Sequence, residues 1–269
     1  MKVKQVHVKG ILQKSNLPGI GYVINPYIGC IHGCVYCYAR FMKRFTAHNE
    51  PWGTFLDPKI NGPDLLRKQL TRRKEPFKDA VFISSVTDPY QPPEKKYQIT
   101  RKILKILLEH GVPVSVLTKS ELITRDIDLL KRFEKSTIGL SLSTLDDALA
   151  KRLEPRATPP TRRLRTLKLL RDHGIYTYAF ISPYIPNLSD IHQLTSELSG
   201  VIDEIGVEAI NPRGGNWLGV ERILRRYYPE RLNSCRRLVR DGRYWQALEH
   251  NVRKYAKQNH IEMMGFYRH

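Results

Sequence analysis

Three of the chain's four cysteines, Cys30, Cys34 and Cys37, lie together as C-x3-C-x2-C within Asn25–Arg40, NPYIGCIHGCVYCYAR. Thiolates are soft ligands that suit iron–sulfur clusters and zinc. Three of them on one short loop can hold three irons of a cubane iron–sulfur cluster, leaving one metal position for a non-protein ligand. A closed structural site would use four protein ligands. Gly29 and Gly33 permit the tight turns that folding a loop around a cluster needs. The competing reading is a zinc site completed by His32 or a distant histidine, but zinc ligands usually come as two separated pairs.

The elements that must position this loop follow from patterning. The 269 residues, 41% hydrophobic, suffice for one large α/β unit with a full core. Short apolar runs at Tyr22–Ile24, Ala80–Ser84, Val114–Leu117, Thr137–Leu142, Tyr176–Ile181 and Glu204–Ile210 read as strands. Helical patterns alternate with them: Val35–Phe45, Pro63–Arg73, Tyr97–His110, a helix capped by Thr124, Arg162–His173 and Asp190–Leu198. Residues 1–21 read as a polar lead-in and 46–62 as loop. Six buried strands with right-handed crossovers imply a parallel sheet, and an open (β/α)6 barrel is the arrangement expected. Sites on such sheets lie beyond the strands' C-terminal ends. There the pattern puts the cysteine loop, Ser84–Asp88, Lys119, Ser141–Thr144, Ser182–Asn187 and Asn211–Gly215. The expected domains are 1–212, the barrel with its lead-in, and 213–269, a basic helical C-terminal extension.

Charge narrows the partners. Lys and Arg number 45 against 26 Asp and Glu, a net +19, which favours a polyanion such as DNA or RNA. From Asn211 onward 13 basic residues face five acidic ones, interleaved with Trp217, Tyr227, Tyr228, Tyr244 and Trp245. Cations for phosphates with aromatics for bases suit single-stranded or flipped-out nucleotides; an amphipathic helical cap is the plainer alternative. No apolar run approaches the roughly 20 residues of a membrane span, and the N-terminus lacks a signal-peptide core. With too few cysteines for a disulfide scaffold, a reducing, cytoplasmic setting is expected.

The loop N-P-Y-x-G-C-x-H-x-C-x-Y-C-Y-A-R resembles that of the radical SAM superfamily, and within it the spore photoproduct lyase-related, DNA repair photolyase-like branch. A looser likeness runs over roughly residues 12–212. The resemblance implies a partial (β/α)6 barrel and a 4Fe–4S cluster on Cys30, Cys34 and Cys37. It also implies S-adenosylmethionine (SAM) on the open iron and reductive cleavage to a 5′-deoxyadenosyl radical. An electron donor such as flavodoxin or ferredoxin follows from the same likeness. Tyr36 then contacts SAM adenine, and Tyr38 serves SAM contact, radical transfer or packing. Thr87 or Asp88 accepts from the SAM amino group, Lys119 pairs with its carboxylate, and Ser141 and Ser143 bond the ribose. Arg163 and the Glu154–Arg156 segment clamp an anion or pin a loop.

One departure stands out. Photoproduct lyases carry a hydrogen-donating cysteine just after the second strand, where this chain has Ser85. A serine O–H is too strong a bond for that task. The spare thiol, Cys235, lies in an arginine-rich helical stretch and reads first as a packed hydrophobe. It and Tyr38 are the weak catalytic candidates. The leading expectation is repair or modification of a nucleic acid base. The alternatives are radical chemistry on a peptide, protein or small metabolite, and a non-enzymatic iron–sulfur or zinc protein that binds nucleic acid.

Overall fold

The computed structural model describes residues 1–213 and 215–269. The strands are β1 (Lys2–Val3), β2 (Leu12–Lys14), β3 (Tyr22–Ile24), β4 (Tyr27–Ile28), β5 (Phe55–Pro58), β6 (Val81–Ile83), β7 (Val114–Thr118), β8 (Ser136–Ser141), β9 (Tyr176–Tyr184), β10 (Glu204–Ala209) and β11 (Glu262–Tyr267). The chain forms two compact units. One comprises Met1–Gly33, Ala39–Gly139 and Asp172–Ile175; the other comprises Cys34–Tyr38, Leu140–Arg171 and Tyr176–His269.

In the first unit, β3, β6 and β7 run parallel, with β2 antiparallel on the outer edge of β3. Val81, Ile83, Val114 and Val116 are fully buried, as continuous apolar strands between two covered faces must be. The helix Ile99–Glu109 buries Ile99, Ile103, Leu104, Ile106 and Leu107 on one stripe. A small second sheet, in the order β1-β5-β4, underlies the cysteine loop. Residues 46–62 are thus not all loop: Phe55 and Leu56 are fully buried, and the prolines and glycines around them hide the strand signal. Thr124 caps nothing. Ser120 instead accepts from the Leu122 N–H at 3.2 Å, opening a 3-10 turn before the single α-turn Ile127–Leu130.

In the second unit, β9, β10 and β11 lie parallel, and the Leu142 N–H just after β8 donates to the Phe180 carbonyl at 2.9 Å. The helix Pro160–Asp172 precedes β9, and the helix Ile191–Leu198 is capped by Asp190, whose carboxylate accepts from His192 and Gln193 at 3.0 and 3.1 Å. The extension is helical over Gly215–Tyr227, Pro229–Val239 and Gly242–Gln258. It then adds β11 alongside β10, in register Ile205 to Met263. The half-exposed pattern of β11, broken by Gly265, conceals it from periodicity. The strand–helix alternation gives the mixed α/β fold with a parallel sheet that was expected. Among the described residues, no helix is long and apolar enough to cross a membrane.

Candidate active site

The cysteine loop passes from the first unit to the second at Gly33–Cys34. Its backbone turns at Gly29 (φ 83°) and Gly33 (φ 65°), conformations that favour glycine. A Cβ on Gly29 would meet the Phe55 carbonyl oxygen at 2.7 Å, so only glycine fits against β5. The expected helix from Val35 begins only at Tyr38, as a 3-10 helix to Phe45. Upstream of it the chain is held in a turn: Cys37 N–H donates to the Cys34 carbonyl at 3.2 Å and Val35 N–H to the Leu153 carbonyl at 2.8 Å.

A set of buried side chains in the first unit fixes the loop's leading half. Gln91, fully buried, accepts from the Ile31 N–H at 2.7 Å through Oε1. Its Nε2 donates to the Thr87 hydroxyl and the Asp88 carbonyl, each at 2.9 Å, and lies 3.4 Å from the Gly29 carbonyl. Thr87 in turn donates to the same Gly29 carbonyl. Asn25 ties β3 to the turn after β6, accepting from Val86 N–H at 3.1 Å and donating to Ser85 Oγ at 3.3 Å.

Asp88 is the hub. Its Oδ1 accepts from Tyr90 N–H at 2.8 Å and the Thr118 hydroxyl at 2.7 Å; its Oδ2 accepts from Lys119 N–H at 2.8 Å and lies 3.3 Å from His32 Nε2. Burial alone would raise its pKa, but His32, the Lys119 N–H and the Thr118 hydroxyl hold it below the ordinary value. A carboxylate offers about four lone-pair sites, and protein donors take three of them here, with the His32 ring nearby. Asp88 therefore sets the ends of β6 and β7 and the position of His32 between the first two cysteines. Lys119 follows β7 directly, as expected.

A second carboxylate organises the loop's trailing half within the second unit. Glu154 is ion-paired with Arg163, itself 1% exposed, and accepts from the Tyr36 and Ser143 hydroxyls, the latter at 3.2 Å. Arg163 also donates to the Ser141 carbonyl, while Ser141 Oγ donates to the Ser182 carbonyl at 3.0 Å. Burial and the Glu154 charge push the Tyr36 phenol pKa well above its ordinary value. Tyr36, Ser141 and Ser143 are thus gathered around one ion pair. Arg163 clamps the protein's own carboxylate.

The two weak catalytic candidates differ. Cys235 is fully buried, donates to the Pro186 carbonyl at 3.1 Å, and has its thiol pKa pushed up to about 12 by burial. Such a thiol is packed away from solvent and is not a thiolate nucleophile. Tyr38 is 52% exposed at the start of its 3-10 helix. Of the tail aromatics, Trp217 and Trp245 belong to the core, whereas Tyr227 is exposed, with the Arg152 guanidinium 4.3 Å from its ring centre. Gly214, within the expected Asn211–Gly215 loop, lies outside the described residues.

The donor set suits a cluster: three thiols on one turn-rich loop, none in a disulfide among the described residues. Among those residues, no three Cys, His, Asp or Glu side chains gather about a single ion. A cubane differs in that each thiolate binds its own iron.

The radical SAM superfamily model matches residues 24–197. The chain belongs to the radical SAM superfamily. An uncharacterised protein of Methanocaldococcus jannaschii is 33% identical over 254 residues, covering 94% of each chain. The radical SAM Nalpha-GlyT isomerase of Pseudomonas phage M6 is 30% identical over 216 residues, 78% of this chain and 44% of that one. Among solved structures, a cysteine-to-serine variant of spore photoproduct lyase superposes with TM-score 0.68 at 17% identity, covering 98% of this chain and 82% of the lyase. SuiB of Streptococcus suis bound to precursor peptide SuiA gives TM-score 0.60 at 19% identity, over 91% and 48%. The fold is therefore that of the radical SAM superfamily and is similar to the fold of spore photoproduct lyase.

Sequence reasoning singled out most of the polar residues gathered around the cysteine loop but missed Gln91. The signal was present in Asp88-Pro-Tyr-Gln-Pro, a polar amide fixed between prolines directly after a strand. It also missed Glu208, which accepts from Ser182 Oγ and lies 3.1 Å from His269 Nε2.

Proposed function

We propose that this radical SAM protein binds a 4Fe–4S cluster through Cys30, Cys34 and Cys37 and acts on a base of a nucleic acid. The observation that carries the first half is the three-thiol loop in a chain that the superfamily model matches. When bound, the cluster and SAM supply reductive cleavage of the sulfonium and a 5′-deoxyadenosyl radical. The chain's own residues hold the loop: Gln91 and Thr87 on its leading half, Glu154 and Arg163 through Tyr36 on its trailing half. Asp88, which accepts from three protein donors, is a positioning residue in this reading. Lys119 and Tyr36 are the residues proposed to meet SAM. Burial of Tyr36 keeps its phenol protonated, so it orients as a neutral ring.

The nucleic-acid half is supported by the net +19 charge. Ser85, where those lyases carry the donor cysteine, argues against a photoproduct-lyase type of hydrogen return by a cysteine after the second strand. That favours a modification or isomerisation over that particular repair. A peptide substrate is the second reading, favoured by the likeness to SuiB.

The test is anaerobic. Reconstituted protein is incubated with SAM, dithionite and single-stranded DNA or RNA, and 5′-deoxyadenosine is quantified by mass spectrometry beside Cys34→Ala. Product that rises with an oligonucleotide supports the reading. Product that ignores oligonucleotides but rises with peptides supports the second reading, and no product from any of them contradicts both.

A further inference from the structure

Beyond the C-terminal end of β10, the second unit holds a cavity of about 440 Å³, within the size range of ligand sites. Arg213, Arg240, Arg268 and His269 line it, Gly242 opens the helix at one wall, and Trp245 is its aromatic residue. The local carboxylates are already committed. Glu249 pairs with Arg268 and Arg253, Glu208 with His269, and Asp241 caps the helix, accepting from the Arg243 and Tyr244 N–H groups. Arg213 and Arg240 have no acidic partner among the described residues, and both are exposed to the cavity's solvent. Two uncompensated guanidiniums, a third held in place by Glu249 and an aromatic wall make an anion site with room for an attached ring. A guanidinium's planar fork of donors matches phosphate oxygens.

We propose that this cavity is a phosphate subsite, in which Arg213 and Arg240 grip a phosphodiester of the substrate strand and Arg268 and His269 complete the cradle. The proposal deepens the nucleic-acid reading above and rests on it for the source of the phosphate. It is tested with reconstituted protein and a fluorescent 12-nucleotide single strand of DNA or RNA, by anisotropy at 50 and 200 mM salt. The variants are Arg213→Gln/Arg240→Gln and a control pair, Arg72→Gln/Arg132→Gln, which removes the same charge from exposed positions of the first unit.

The first pair is expected to bind about 10-fold more weakly, with the slope of log affinity against log salt reduced by about 1 to 2, as each lost phosphate contact dictates. The control pair stays within about twofold. Equal losses in both pairs, or no loss in the first, overturn the subsite and leave the nucleic-acid reading standing. If wild type binds no strand at low salt, that reading fails, and calorimetry with inorganic phosphate decides the cavity. Phosphate binding lost in the first pair keeps it as a site for a free phosphate, and no phosphate binding overturns it.

Discussion

Gln91 accepts the Ile31 N–H at 2.7 Å, so a fully buried amide on one loop fixes the backbone between Cys30 and Cys34. The same amide nitrogen donates to Thr87 and the Asp88 carbonyl. Gln91→Glu keeps the acceptor for Ile31 but replaces the donor with a second acceptor facing three oxygens. Losing such buried partners costs about 1–3 kcal/mol, more for a charge. Gln91→Glu is expected to be at least as destabilising as Gln91→Ala in urea unfolding of the apo protein. Both variants should take up less iron than wild type under the same reconstitution. Normal stability and iron content in Gln91→Glu would remove the clamp.

Gly219 is a second fixed point. A Cβ there would come within 1.9 Å of the Val35 carbonyl oxygen, between the second and third cysteines. The helix Gly215–Tyr227 buries Trp217, Val220 and Leu224 and cannot retreat freely. Gly219→Ala should therefore lose about 1–3 kcal/mol, the usual cost of overpacking, despite its gain in helix propensity. Iron per chain after reconstitution should fall with it. Leu218→Ala, at an exposed neighbour, serves as the control and should leave both unchanged.

The Glu154–Arg163 pair is buried at both ends, so removing one partner strands a charge. Glu154→Ala is expected to destabilise the fold by about 3–5 kcal/mol. Glu154→Gln, which keeps an acceptor for Tyr36 and Ser143, should retain more iron than Glu154→Ala. Thermal unfolding and iron content read the difference.

Asp88 predicts an acid dependence. Its folded-state pKa lies below the ordinary 3.8, so its stabilisation is fully present above that value and is lost as pH falls below it, through the folded value. Asp88→Asn should cost roughly 1.5–3 kcal/mol at neutral pH, the range for hydrogen bonds to a charged group. The gap between variant and wild type should close as pH falls below about 4. Urea unfolding on either side of that pH measures it. A gap that widens below it would contradict the assignment.

Much of the fold was legible because its strands are short, largely apolar and punctuated. Val81–Ile83 and Val114–Thr118 have no other reading, and Gly111 and Gly174, at φ 61° and 74°, mark where helices stop. The cysteines announced themselves by spacing. What stayed hidden depends on tertiary partners. β5 has a strand pattern only because β1 and β4 flank it, and β11 only because β10 offers an edge. Thr87, Asp88, Ser141 and Ser143 were legible as polar groups at strand ends, but their bonds to Gly29, His32, Ser182 and Glu154 were not. Local sequence shows a hydroxyl or a carboxylate and cannot show whether the protein or a ligand saturates it.

The most direct measurement of the central claim is the EPR spectrum of reduced, anaerobically reconstituted protein, recorded with and without SAM. The account predicts a cluster signal that changes when SAM is added, is lost in Cys30→Ala, Cys34→Ala and Cys37→Ala, and is unaffected in Cys235→Ala. A signal indifferent to SAM, or one that survives loss of Cys34, would contradict it.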